Sequence, residues 1–238
     1  MLETKFSSYP NFSIHSADAL QFDFSCLLEP SANLQPSANL QPSANLQPSA
    51  EQGPSARQEP LAKEQLLRLV GNLPYNIATP LIFHLLDNIE IIQDMHFMLQ
   101  KEVVERLTAQ PGSKTYGRLS ILVQYLCYAE QLFIVPPGAF TPAPKIDSAI
   151  IQLTPRENNY NKESSQRREL NNASLDDLSF IAKSAFSQRR KTLRNNLKKI
   201  LSDAQISQCD IDPGRRAETL SINDFVSLTN QYAQDQLG

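Results

Sequence analysis

No stretch of apolar residues in this sequence approaches the length of a membrane span, which argues against an integral membrane protein. The opening Met1-Leu2-Glu3-Thr4-Lys5 lacks the long apolar segment of a secretion signal, so a cytoplasmic location is expected. Cysteine is scarce: Cys26, Cys127 and Cys209 are scattered, odd in number and never in C-x-x-C spacing, with no histidine cluster beside them. That pattern excludes a disulfide framework and a metal site, and it suits a reducing compartment. His15, His84 and His96 stand apart from one another. His84 falls on an apolar helical stretch and reads as a packed structural histidine rather than a base.

What is present is enough to bury a real core. The chain has 238 residues, 41% hydrophobic and 20% charged, and one full domain plus a small one is the natural division. A net charge of -3 argues, as an average, against a nucleic-acid partner. The average hides an asymmetry. Lys183, Arg189, Arg190, Lys191, Arg194, Lys198 and Lys199 fall in one stretch without a single Asp or Glu among them.

The chain centres on Gly71-Asn72-Leu73-Pro74-Tyr75-Asn76-Ile77. Leu66 to Val70 reads as a short buried strand, and Thr79-Pro80 reads as a helix start with Thr as N-cap. Asn72 to Tyr75 therefore leave the carboxyl end of a strand, the edge at which open α/β sheets bind ligands. Pro74 stiffens the loop and removes a donor, leaving local carbonyls free to point outward. An Asn amide oxygen and a carbonyl together accept both hydrogens of an exocyclic amine, and a Tyr ring stacks on a flat heterocycle. Those are the needs of amine methylation on adenine. The plain alternative is a proline-bearing turn with a half-buried Tyr.

Elsewhere, Phe12 to Ala17 alternates and is expected to be a strand, ending at Asp18-Ala19. Asp18 reads equally as an acceptor for a ligand amine and as an N-cap. Phe22 and Phe24 read as core contacts. From Pro30 the unit Pro-Ser-Ala-Asn-Leu-Gln occurs three times, with too little apolar content to pack, so about 30–60 is expected to be a low-complexity surface insertion. A helix is expected from Ile77 to Leu86, a strand over Asp94 to Gln100, and helices over Lys101 to Ala109 and Gly117 to Tyr128. Strands follow at Gln131 to Val135 and Ser148 to Leu153. Between these two, the proline-stiffened loop Phe140 to Lys145 presents an aromatic ring. This alternation implies an α/β fold with a largely parallel sheet and an antiparallel edge. Residues 1–154 form the first unit, 155–173 a polar linker and 174–238 an all-helical unit. The helical unit places Arg190, Arg194 and Lys198 at four-residue steps on one helix face, opposite Leu193, Leu197 and Leu201. A purely basic face of this kind suits phosphate neutralisation.

Five segments taken in order resemble a known family: Gly71 to Ile77, Phe97 to Val103, Tyr116 to Ser120, Phe140 to Ala149 and Gln188 to Asn195. They are similar to motifs of the bacterial small-subunit (16S) ribosomal RNA adenine dimethyltransferases, the kasugamycin-sensitivity methyltransferases. The resemblance implies a Rossmann-like methyltransferase domain with a small helical carboxyl-terminal domain. It implies transfer of methyl groups from S-adenosyl-L-methionine to the N6 amines of two adjacent adenines near the 3′ end of 16S ribosomal RNA, within a 30S subunit precursor. Carried over, Asn72 and the Pro74 carbonyl hold the amine, Leu73 lies in the same catalytic tetrapeptide, and Tyr75 and Phe140 stack on the flipped base. Asp18 binds the cofactor adenine, Asn72 also approaches its methionine part, and Arg189, Arg190, Lys191, Arg194 and Lys198 bind RNA. No metal or membrane is implied.

The family also carries a G-x-G-x-G loop followed by an acidic residue that grips the cofactor ribose. None of Gly53, Gly71, Gly112, Gly117, Gly138, Gly214 and Gly238 forms such a loop, and the chain reads as an amino-terminally truncated member. Two functions stay open at this point: the methyltransferase, and a catalytically inactive remnant that binds ribosomal RNA. A weaker third replaces ribosomal RNA with another adenine target, which the Gln188 to Asn195 signature disfavours.

Overall fold

The computed structural model describes Tyr9 and residues 12–28, 66–156 and 174–237. The repeat from Pro30, the rest of the expected insertion and residues 157–173 of the expected linker lie outside the described residues. Four strands form one sheet: β1 (Leu67–Asn72), β2 (Ile92–Gln100), β3 (Cys127–Val135) and β4 (Ser148–Pro155), in the spatial order β1-β2-β4-β3. β1 and β2 run parallel, with Val70 opposite His96 and Asn72 opposite Met98. β4 enters between β2 and β3 and runs antiparallel to both. The antiparallel character thus reaches further into the sheet than expected, because the return loop after β3 brings β4 back beside β2 rather than out to the edge.

Helices α1 (Ala78–Leu86), α2 (Lys101–Leu107) and α3 (Arg118–Leu126) pack against the sheet. Alternation in β2 aims Met95, Phe97 and Leu99 at them, and all three are essentially fully buried. Leu81, Ile82, Leu85 and Leu86 recur at helical spacing on α1 and close the same core. Each such side chain contributes about 1.5–3 kcal/mol through removal from water. Thr79 does not cap this helix: Ile77 occupies the N-cap, and Thr79 and Pro80 lie inside the first turn, where proline's missing N–H has no intrahelical partner to lose.

Residues 12–17 form no strand. Alternation alone does not make one; a ladder partner is required, and the outer edge of β1 carries no strand among the described residues. The segment that follows docks on α1 instead. His84 Nε2 donates to the Phe22 carbonyl at 2.9 Å, and the Phe24 ring lies 5.5 Å from the His84 ring.

The remaining helices are α4 (Leu175–Ala185), α5 (Leu193–Leu197), α6 (Asp203–Gln208) and α7 (Ile222–Leu237). Ser174 caps α4 by accepting from Asp177 N at 3.0 Å, and Ser202 with Gln205 forms a reciprocal capping box at α6. Leu178, Ile181, Leu193, Leu197, Phe225 and Leu228 make a second core. That core is not confined to residues 174–237. Ala109, Tyr116, Ile121 and Leu122 belong to it, while Leu119, Val123 and Leu126 of the same α3 face the sheet. One helix therefore serves both cores, and Phe83, Tyr125 and Leu175 touch both.

Candidate active site

Asn72 ends β1, and the chain beyond it stays registered for one more residue: Leu73 N donates to the Met98 carbonyl at 3.2 Å. The Leu73 side chain turns into the core and is 8% exposed. It anchors the loop and offers the site no polar atom. The Pro74 carbonyl is not wholly free, because it accepts from Ile77 N at 3.1 Å in the turn that leads into α1. A carbonyl has a second lone pair, which the turn leaves open. Asn72 is exposed, and its side-chain amide makes no hydrogen bond among the described residues.

Asn72, Leu73, Pro74 and Tyr75 line one side of a cleft of about 290 Å³, and Phe140, Pro142 and Pro144 line the other. The two walls come from segments far apart in sequence, and the sheet brings them together at the carboxyl end of β1. Phe140 closes a 3-10 turn over Pro137–Ala139, with its N–H bonded to the Pro137 carbonyl at 3.1 Å. Tyr75 Oη lies 3.0 Å from Ser148 Oγ, at the start of β4. Ser148 carries no functional reading in the sequence. The available signal is a serine directly after a proline-rich loop, at the mouth of an apolar strand.

Asp18 does not line this cleft. Its Oδ1 accepts from Leu20 N at 3.0 Å, a local turn bond, and the residue is exposed. The N-cap reading of Asp18 does not hold, because no helix begins there. The carboxylate caps a turn instead.

The basic stretch departs from the single helix face expected for it. α4 ends at Ala185, residues 187–191 form bends and turns, and α5 starts only at Leu193. Arg190 therefore precedes the helix, Arg194 lies within it and Lys198 is its C-cap. Tertiary bonds impose the break. Asn196 Nδ2 donates to the Ala185 and Gln188 carbonyls at 2.6 and 3.1 Å, and Leu193 N and Arg194 N donate to the Arg215 and Pro213 carbonyls. Arg189 is structural in part: its Nη2 donates to the Lys114 carbonyl at 2.5 Å, and its Nε lies 3.7 Å from Glu218 Oε2. Arg194 pairs with Asp203 at 2.6 Å. Arg190, Lys191 and Lys198 are exposed and form no ion pair among the described residues. Gln188 to Lys191 line a concavity of about 290 Å³.

Among the described residues no helix is long and apolar enough to cross a membrane, and no group of three or more His, Cys, Asp or Glu is placed to hold a metal ion.

A mixed α/β sheet with an aromatic-walled, acceptor-bearing cleft at the carboxyl end of a parallel strand, joined to a helical unit, is the fold of Rossmann-like methyltransferases. A crystal structure of a dimethyladenosine transferase from Plasmodium falciparum shares it with a TM-score of 0.61 at 24% identity, over 75% of this chain and 70% of that one. The crystal structure of the 23S rRNA methyltransferase ErmE shares it with a TM-score of 0.58 at 18% identity, over 98% of this chain and 77% of that one. In sequence, the family described as "Ribosomal RNA adenine dimethylase" matches residues 1–234. The "Ribosomal RNA small subunit methyltransferase A" of Hydrogenovibrio crunogenus is 47% identical over 99% of this chain and 74% of its own length. The protein of the same name from Pseudomonas aeruginosa is 45% identical over 98% of this chain and 72% of its own length. The chain belongs to the ribosomal RNA adenine dimethylase family.

Proposed function

We propose that this protein dimethylates the exocyclic N6 amines of two adjacent adenines near the 3′ end of 16S ribosomal RNA, using S-adenosyl-L-methionine, on a 30S subunit precursor in the cytoplasm. The observation that carries the reading is the convergence of Asn72, Pro74, Tyr75 and Phe140 on one cleft. An adenine turned out of its stack meets aromatic faces on two sides and acceptors at its amine edge. The Asn72 amide oxygen and the open lone pair of the Pro74 carbonyl accept the two N–H bonds. Holding both hydrogens aims the nitrogen lone pair away from the loop, and orientation of this kind is worth several orders of magnitude in rate.

S-adenosyl-L-methionine supplies a methyl group on a sulfonium, whose departure as a neutral thioether calls for no strong base. The residues present fit part of this group. Asn72 has an unengaged amide beside the reacting end, and Asp18 keeps a carboxylate oxygen for an adenine amine. No G-x-G turn occurs in the sequence to hold the ribose side. Arg190, Lys191 and Lys198, with Arg189 and Arg194 beside them, form the basic surface proposed to grip ribosomal RNA.

The test is incubation of the full chain with small subunits whose 3′-end adenines are unmethylated and with methyl-labelled cofactor. Label recovered as dimethyladenosine supports the proposal. The exposed cations Arg190, Lys191 and Lys198, unpaired among the described residues, also suit a second reading, RNA binding without transfer. Salt-sensitive binding of the same subunits with no incorporated label would select it.

A further inference from the structure

We infer that Ser148 is a positioning residue of the adenine cleft, acting through Tyr75; the inference rests on the reading of that cleft given above. Ser148 is fully buried, at 0% exposure, whereas Tyr75 is 41% exposed on a turn outside the sheet. Their oxygens lie 3.0 Å apart. An exposed tyrosine samples several staggered rotamers, and a hydrogen bond from the far end of its ring to a fixed hydroxyl selects one of them. Ser148 is such a fixed point. It begins β4, an interior strand, and is paired with Gln100 on one side and Val135 on the other.

The same residue also ends the loop that carries Phe140. Its backbone sets where one wall of the cleft begins, and its side chain sets the tilt of the ring on the other. The hydroxyl of Tyr75 is thereby occupied, so the cleft receives only the ring face. Discrimination of an amine from a carbonyl on the base then falls to Asn72 and the acceptor-only Pro74 carbonyl. The bond is also one that the fold retains: Ser148 Oγ makes no other hydrogen bond among the described residues, and a buried hydroxyl left without a partner is costly.

The experiment compares Ser148→Ala, Tyr75→Phe and the double variant of the full chain with the unaltered protein. Two quantities are read: kcat and KM for methyl incorporation, and the fluorescence of 2-aminopurine placed at the target position of an RNA fragment, which reports stacking in the cleft. Each single variant is expected to lose about two- to tenfold in kcat, the range of one hydrogen bond, with KM for RNA unchanged. Each is expected to lose the same share of the stacking signal, and the double variant no more than either one. Single variants that match the unaltered protein in both quantities, or losses that multiply in the double variant, overturn the inference. A poorly folded Ser148→Ala leaves the decision to Tyr75→Phe, which keeps the ring. If the unaltered protein binds RNA but transfers no methyl group, the catalytic reading fails, and the stacking signal alone decides for or against the positioning role.

Discussion

Arg118, the first residue of α3, donates to Ser179 Oγ of α4 from Nε at 3.1 Å and from Nη2 at 2.6 Å, and its guanidinium lies 5.5 Å from the centre of the Phe83 ring. One side chain thus ties the helix shared by both cores to the helical unit and covers α1. Its contacts are exposed, so Arg118→Ala is expected to cost about 1 kcal/mol, combining a modest hydrogen bond with a surface cation–π interaction. For a chain of this size that lowers the melting temperature by about 2–4 °C, measurable by circular dichroism.

Asn72→Ala separates site from scaffold. The residue is exposed and its amide unengaged within the fold, so stability should change by no more than about 0.5 kcal/mol. Methyl transfer should fall by about a hundredfold or more, as when an oriented polar group facing the reacting atom is removed. A melting curve and a labelled-methyl assay on the same preparation check both halves.

Arg190 and Lys191 are the cations to replace in a test of RNA binding, since both are exposed and neither has a carboxylate partner among the described residues. Changing both to Gln should leave the melt unchanged and flatten the log-log salt dependence of RNA binding by about 0.7–0.9 for each phosphate that is no longer neutralised. Arg194→Gln should act differently. It breaks the exposed pair with Asp203 and costs about 0.2–1 kcal/mol of stability. Filter binding across salt concentrations, beside a thermal melt of each variant, distinguishes the two.

Gln124 is a buried polar residue whose Nε2 donates to the Leu107 and Ala109 carbonyls, both at 2.8 Å. Gln124→Leu keeps the bulk and strips two buried acceptors of their donor. A loss of about 2 kcal/mol or more is expected in urea unfolding, with little change in the slope.

Burial pushes the Cys127 thiol up from its ordinary 9.0 to about 12, against a smaller opposing pull from Arg156. Burial likewise raises the Tyr116 hydroxyl. The unfolded chain releases the thiol proton near pH 9 while the folded chain holds it, so the unfolded state binds fewer protons above that pH. Stability is therefore full below about pH 9 and declines as pH rises toward 12. At about pH 8, a thiol reagent should label exposed Cys26 in the native protein and leave Cys127 unlabelled until it unfolds.

The loop Asn72 to Tyr75 can be placed from sequence because its geometry is local: a strand, a proline that fixes the backbone, and a helix start. The strand itself is not the buried one expected but an outer strand of the described sheet, with Val70 79% exposed. The Phe140 loop is legible for the same reason. Residues 12–17 mislead because alternation describes a side-chain pattern, whereas a strand is a relation between two segments. The basic stretch misleads in a related way. Leucines at 193, 197 and 201 keep helical spacing, but Asn196 and the carbonyls of Pro213 and Arg215, all distant or inconspicuous in sequence, decide where the helix begins. The partner of Tyr75 is 73 residues away and that of Arg194 lies just outside the basic stretch, where no periodicity points.

Helix α3, with one flank in each core, works as the beam of a caliper. One jaw is the cleft beside Asn72, on the sheet, and the other is the turn from Gln188 to Lys191, on the helical unit. Because the beam cannot slide in either core without opening a cavity, the separation of the jaws is a fixed length. Under the proposed function, an RNA seated by its backbone on the turn would present to the cleft whatever base lies at that distance, and the choice of nucleotide would become a measurement.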